Sequence, residues 1–255
     1  VHVLIVVNAN LDAEGTLTPG SAIAAKMVDA LQQAIATDYN ALSATEHSVQ
    51  LATPATAKAW LPPAHQKWLI CPLTLDLPEG LPFAHQALYQ QCREVDNLRA
   101  QVRQIFNVAI AAGHYWLPIV WTRKGPLYAE VIGMTATEAK PDQLSADLPA
   151  DADYHQPLHL PDRWRQPLYR LAGGLLRSLT APPGTYLLQF GLHDNTLFFD
   201  RLFPFPAAPA IASIGVQLPN LFTCHWYCLT DQPLHDVVIL SRPYQSLQSD
   251  SINTA

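Results

Sequence analysis

The stretch from Gly184 to Pro209, GTYLLQFGLHDNTLFFDRLFPFPAAP, limits the possible folds of this chain more than any other. Two runs rich in aromatic and branched residues, Tyr186 to Phe190 and Leu197 to Phe203, flank His193-Asp194-Asn195. Asp and Asn tolerate the left-handed backbone of a tight turn, so the spacing predicts a central β-hairpin. Pro204, Pro206 and Pro209 then lack the backbone donor that a ladder needs, so the second strand must hand over to an extended loop. Any ligand site in this half is expected at that handover. Phe198, Phe199, Phe203 and Phe205, with nearby Trp226 and Tyr227, are more aromatic residues than one hairpin face can hide. Both faces of the sheet therefore need cover, from the chain's own helices or from another protein. This motivates an expected protein partner, or self-association through an aromatic surface.

At 255 residues, 49% hydrophobic and 14% charged, the composition is that of a globular chain with room for a large core. A net charge of -6 opposes binding to a phosphate backbone, so no nucleic-acid partner is expected. The early apolar run Val3 to Val7 is too short to span a membrane and reads as a buried strand, which gives the expectation of a soluble cytoplasmic protein without membrane insertion. Four cysteines in a chain this long are too sparse for a disulfide scaffold. Twenty-two prolines against eleven glycines predict stiff connections and no large lid.

In chain order, strands over His2–Val7, Ser48–Ala52 and Trp68–Leu73 alternate with a helix from Ser21, as its N-cap, to Ile35 and a helical turn over Thr53–Leu61. This is a small Rossmann-like parallel sheet. Its first loop has no GxGxxG, but it follows a strand end where open α/β sheets bind ligands, which makes Asn8, Asn10 and Asp12 candidate ligand contacts. The alternative for these three is turn chemistry with their own backbone. A long helix is predicted from Pro82 to Ala112, ended by Gly113, with Arg93, Arg99 and Arg103 on solvated faces. Next come a hairpin of Tyr115–Trp121 and Leu127–Ile132, a surface loop over Thr135–Pro157, a helix from Asp162 as cap to Leu179, the hairpin above, and a helix over Pro219–Leu229. The expected organisation is an α/β part over residues 1–112, an α+β part of hairpin-helix-hairpin order over 113–245, and a tail over 246–255.

The second part resembles the carboxyl-terminal half of ATP-grasp ligases, and in particular is similar to N5-carboxyaminoimidazole ribonucleotide synthetase. That family runs a strand into a proline-rich segment of the type NEIAPRPHNSGHWT and then a helix of the type SQFEQHLRAVLGLPLGD. Here Asp200-Arg201-Leu202-Phe203-Pro204-Phe205-Pro206 takes the first place, and Phe222, His225, Pro233, Leu234 and Asp236 repeat the spacing of the second. In such ligases, one Glu on the first hairpin strand and a Glu-Asn pair at the end of the second hold the magnesium that neutralises ATP phosphates. This chain has Gln189 at the first place and Asp200-Arg201 at the pair, and Pro204 to Ile211 has lost every polar side chain of the anion-binding segment. Too few residues separate the third strand from Tyr115 to hold the family's nucleotide-covering lobe. The resemblance implies a fold kept without its chemistry, with no cofactor and no metal.

Other constellations are weaker. Thr223-Cys224-His225-Trp226-Tyr227-Cys228 puts two thiols on one helical face and the imidazole away from them, a poor zinc set. His193-Asp194 and His235-Asp236 are adjacent pairs better suited to surface turns than to catalysis. Arg123 and Lys124 at one hairpin tip, with Arg201 at the end of the other, are anion-binding candidates. The expectation is a non-catalytic binding, assembly or regulatory factor. The alternative is an enzyme acting on a small anionic or nucleotide-like substrate, with Gln189, Asp200 and Arg201 lining its cleft.

Overall fold

The computed structural model describes residues 2–12, 15–18, 22–38, 48–60, 68–134 and 153–240. The Ser21 cap, most of the loop expected over 135–157 and the tail over 246–255 lie outside them. Strands β1 (His2–Val6), β2 (Ser48–Ala52) and β3 (Trp68–Pro72) form a parallel sheet in the order β2-β1-β3, with Val3, Ile5 and Val7 packed toward α1 (Ala22–Ala36). Leu4 and Val6 point to the opposite face, against Ala57 and Leu81. This two-sided burial is why the first strand is a continuous apolar run.

The predicted helix over 82–112 is two helices, α2 (Gln86–Arg93) and α3 (Val95–Phe106), broken at Glu94. Asn107, not Gly113, ends α3, in the left-handed conformation with φ 52°. After the short strand β4 (Ala109–Ile110) come β5 (Tyr115–Thr122), β6 (Gly125–Tyr128) and β7 (Val131–Met134). The turn between β5 and β6 is tighter than predicted, and what reads as one second strand is split at Ala129-Glu130 into β6 and β7, both paired with β5. Strand β8 (Tyr154–Leu158) replaces the end of the predicted surface loop; it lies at the sheet edge, where Pro157 removes no needed donor. Helix α4 (Asp162–Ser178) follows, with Pro161 as its N-cap, so Asp162 is its first helical residue and pairs with Arg165 instead of capping.

The hairpin forms as predicted. β9 (Gly184–His193) and β10 (Thr196–Phe203) are joined by Asp194 and Asn195, at φ 44° and 61°. The strand ends at Phe203, before the proline run, and a short 3-10 helix over Ala208–Ser213 leads to β11 (Gln217–Leu218), α5 (Leu221–Leu229) and β12 (Val238–Ile239). Asn220 caps α5, its Oδ1 accepting from the N–H groups of Phe222 and Thr223 at 3.0 Å each.

The larger sheet runs β4-β10-β9-β5-β7-β8, with β6 added on β5. Trp116, Pro118 and Val120 lie opposite Gln189, Leu187 and Thr185 on one face; Leu117 and Ile119 lie opposite Leu188 and Tyr186 on the other. Helix α5 covers the first face, with Thr185 Oγ1 donating to the Leu221 carbonyl at 3.2 Å, and α3 and α4 cover the second through Leu98, Val102, Leu168 and Leu175. Helix α1 packs on α5, so one apolar core runs from β1 through α1 and α5 to β9. Asp38, just past α1, accepts from Trp226 Nε1 at 2.9 Å and from Gln232 Nε2 at 2.5 Å. No helix among the described residues is long and apolar enough to cross a membrane.

Candidate functional site

The expected site residues fall in three separate places. The first lies where β10 bulges. Register is lost between Phe199, opposite Phe190, and Arg201, opposite Gln189, and the residue squeezed into that irregularity is Asp200. A bulge re-aims a side chain. Here it directs the Asp200 carboxylate into the protein, where the residue is 1% exposed. Oδ1 accepts from Arg99 Nη2 at 2.5 Å and lies 3.5 Å from Arg201 Nε, and Oδ2 accepts from the Gly113 N–H at 3.0 Å. Arg99 Nε also donates to the Asp200 carbonyl at 3.0 Å.

Gln189, 3% exposed, completes this cluster by donating through Nε2 to the Gly113 carbonyl at 2.6 Å. Gly113 is thus held at both backbone polar groups by the side chains that the resemblance places at the metal site. The reason for glycine is packing: a Cβ there would lie 2.2 Å from the carbonyl carbon and oxygen of Phe190. Neither Gly113 nor Arg99 is legible as part of this cluster in the sequence, where Gly113 reads as a helix end and Arg99 as solvated. The bulge is not legible either, since Leu197 to Phe203 reads as one regular strand.

These residues do not fit a magnesium ion. A small hard dication needs several free oxygens in near-octahedral array. Both Asp200 oxygens accept from protein donors, the Gln189 amide donates to a backbone carbonyl, and two guanidinium groups flank the lone carboxylate. No group of three or more His, Cys, Asp or Glu side chains able to hold a metal occurs among the described residues.

The second place is the loop after β1. Asn10 and Asp12 line an open groove of about 890 Å³ between α1 and the edge strand β2; Asn8 is exposed and does not line it. Turn chemistry also operates here, since Asp12 Oδ1 accepts from the Thr16 N–H at 2.8 Å and the Asn10 carbonyl accepts from the Thr18 N–H at 3.0 Å. The third place is the β5–β6 turn, where Arg123 pairs with Asp231 at 2.8 Å and Lys124 is exposed. Arg201 is not brought to that turn; it stays beside Asp200.

The other constellations are structural in their contacts. His225 is buried, and its Nδ1 accepts from the Thr185 N–H at 3.0 Å; burial lowers its pKa to about 3, so the ring is neutral. Burial likewise pushes the Cys228 thiol up to about 12 and raises that of Cys224, so neither is a thiolate. His193 and Asp194 lie 3.1 Å apart on the exposed hairpin turn. The aromatic residues that pointed to an exposed surface are covered by the chain itself: Phe199, Phe205 and Trp226 are buried, and Phe198, Phe203 and Tyr227 are half-buried. Among the described residues, large exposed apolar side chains include Ile214, Leu218, Val238 and Leu240, around β11 and β12.

No protein-family model and no curated protein matches the chain. Solved structures do. An ADP complex of N5-carboxyaminoimidazole ribonucleotide synthetase aligns with 94% of this chain and 79% of its own at a TM-score of 0.65 and 8% identity. A glycinamide-RNase-transformylase T from Mycobacterium tuberculosis aligns with 94% and 82% at 0.62 and 11% identity. The N5-carboxyaminoimidazole synthetase from Staphylococcus aureus, complexed with ADP, aligns with 93% and 79% at 0.58 and 9% identity. The similarity thus extends over nearly the whole chain, not only the carboxyl half that carries the sequence resemblance, and at these identities it is a similarity of fold: an α/β chain with a parallel sheet, a larger mixed sheet and a two-stranded β11–β12 pair, similar in fold to the synthetase and the transformylase.

Proposed function

We propose that this chain keeps the ATP-grasp-like fold without its phosphoryl chemistry and acts as a binding, assembly or regulatory factor. The observation that carries this reading is the commitment of Asp200: its carboxylate is neutralised by Arg99 and Arg201 and spent on the Gly113 N–H. A carboxylate so placed has little left to offer a cation, and a triphosphate without a counter-ion gains no stabilisation there. The segment between β3 and β5 lends further support. Residues 73–114 form two helices and a two-residue strand, with no sheet to close over a nucleotide. A protein partner in this reading docks elsewhere than on Phe199, Phe203 and Phe205, because these pack into the chain's own two cores. Incubation of the full chain with γ-labelled ATP and magnesium tests the loss of catalysis. Phosphate release is expected to stay at the protein-free rate; release above it that disappears in Asp200→Asn would contradict the reading.

A further inference from the structure

The groove beside β2 has a chemistry of its own. It opens where β1 and β2 run into their loops, the end of a parallel sheet at which side chains and backbone are not consumed by the ladder. Its volume, about 890 Å³, is that of a small-molecule site. The floor is apolar, from Val28 on α1 and Val49 and Leu51 on β2. Beside it are two amide side chains, Asn10 from the loop after β1 and Gln32 from α1, each able both to donate and to accept. At the rim lies Trp60, 41% exposed, in contrast to Trp116 and Trp226, which are buried. An indole left half in water beside a cavity is a stacking surface for a planar ring.

Charge narrows the ligand class. Asp12 and Asp29 line the groove, and no Lys, Arg or His does so among the described residues. Asp12 is partly engaged by the Thr16 N–H, whereas Asp29 is exposed on the outer turn of α1. A phosphate brought here would meet like charge and, among the described residues of the lining, no cation to offset it. Carboxylates accept well from hydroxyl groups, and a vicinal diol gives one carboxylate two donors. Amide side chains match the mixed donor and acceptor edge of a heterocycle.

We propose that this groove binds an uncharged molecule carrying a planar heterocycle and a vicinal diol, the chemistry of a nucleoside, and that it rejects the phosphorylated form. Trp60 stacks on the ring, the amides read its edge and Asp29 takes the diol. The assignment rests on the binding role proposed above and gives that role a ligand class. The two fail separately, because the groove shares no residue with the Asp200 cluster.

The test titrates the full chain with adenosine, cytidine, guanosine and uridine, and with their 5′-monophosphates, following heat and tryptophan fluorescence. At least one nucleoside is expected to bind saturably, and its monophosphate at least tenfold more weakly. Trp60→Ala and Asp29→Asn, both at exposed positions and checked for native circular dichroism, are each expected to weaken nucleoside binding tenfold or more. Absence of saturable binding by all four nucleosides up to millimolar concentration, equal affinity for the monophosphate, or binding indifferent to both substitutions would each overturn the proposal. None of those outcomes bears on the Asp200 cluster, which magnesium–ATP experiments test by themselves.

Discussion

Asp200→Asn is the substitution that best separates a structural clamp from a metal ligand. The replacement keeps the shape and removes one acceptor and the charge. Because Oδ1 accepts from Arg99 and Oδ2 from the Gly113 N–H, the new NH2 group must face one donor or the other. Either orientation turns a hydrogen bond into a donor–donor contact and leaves Arg99 only the exposed carboxylate of Asp96, 3.5 Å from its Nη1. Removing one partner of a buried ion pair costs about 3–5 kcal/mol. Arg99 keeps 27% side-chain exposure and can rehydrate, which sets the expected loss at the lower end, about 3 kcal/mol. For a chain of this size that is a fall in Tm of roughly 6–12 °C. Urea unfolding followed by tryptophan fluorescence reads the change as a lower midpoint at unchanged slope. A double variant, Arg99→Met with Asp200→Leu, is expected to recover part of the loss, since it removes both charges together. The reasoning is refuted if Asp200→Asn is as stable as the parent to within about 0.5 kcal/mol, the margin of an ordinary surface change. A carboxylate kept for a ligand tends to be neutral or costly for stability, not necessary to it.

Gly113→Ala forces a Cβ to within 2.2 Å of the Phe190 backbone and 2.8 Å of the Gly191 nitrogen, so β9 itself has to move. The expected loss is about 3 kcal/mol or more, at the upper end of overpacking, and a thermal melt measures it. Asn220→Ala removes the acceptor for two N–H groups at the start of α5 and should cost about 1 kcal/mol in urea unfolding. His225 supplies a pH dependence. Its folded pKa of about 3 lies below the ordinary 6.5, so between those values the unfolded state binds more protons and stability falls as pH falls. The slope approaches about 1.4 kcal/mol per pH unit below pH 6.5, and His225→Gln should flatten it in melts recorded from pH 7 to pH 4.

Local chemistry made much of this fold legible. Asp194 and Asn195 announce a left-handed turn, and the proline run ends β10 because a missing donor is a property of the residue itself. What escaped was decided at long range. The charge of Arg99 says nothing about a carboxylate 101 residues away, and periodicity alone carried one helix through the break at Glu94. Gly113 reads as a helix end because glycine often is one, whereas here its missing side chain admits the backbone of β9. Strand β8 was hidden by Pro157, which an edge position tolerates. The groove was half visible: Asn10 and Asp12 follow a strand, but Asp29 and Gln32 on a helix face and Trp60 beyond β2 join them only when the chain folds.

In the function proposed above, Asp200 belongs to the fold and not to a cation. A calorimetric titration of ATP into the full chain, in millimolar magnesium and again in chelator, tests it most directly. No saturable heat is expected in either condition. Saturable, magnesium-dependent binding that vanishes in a folded Asp200→Asn variant would contradict it.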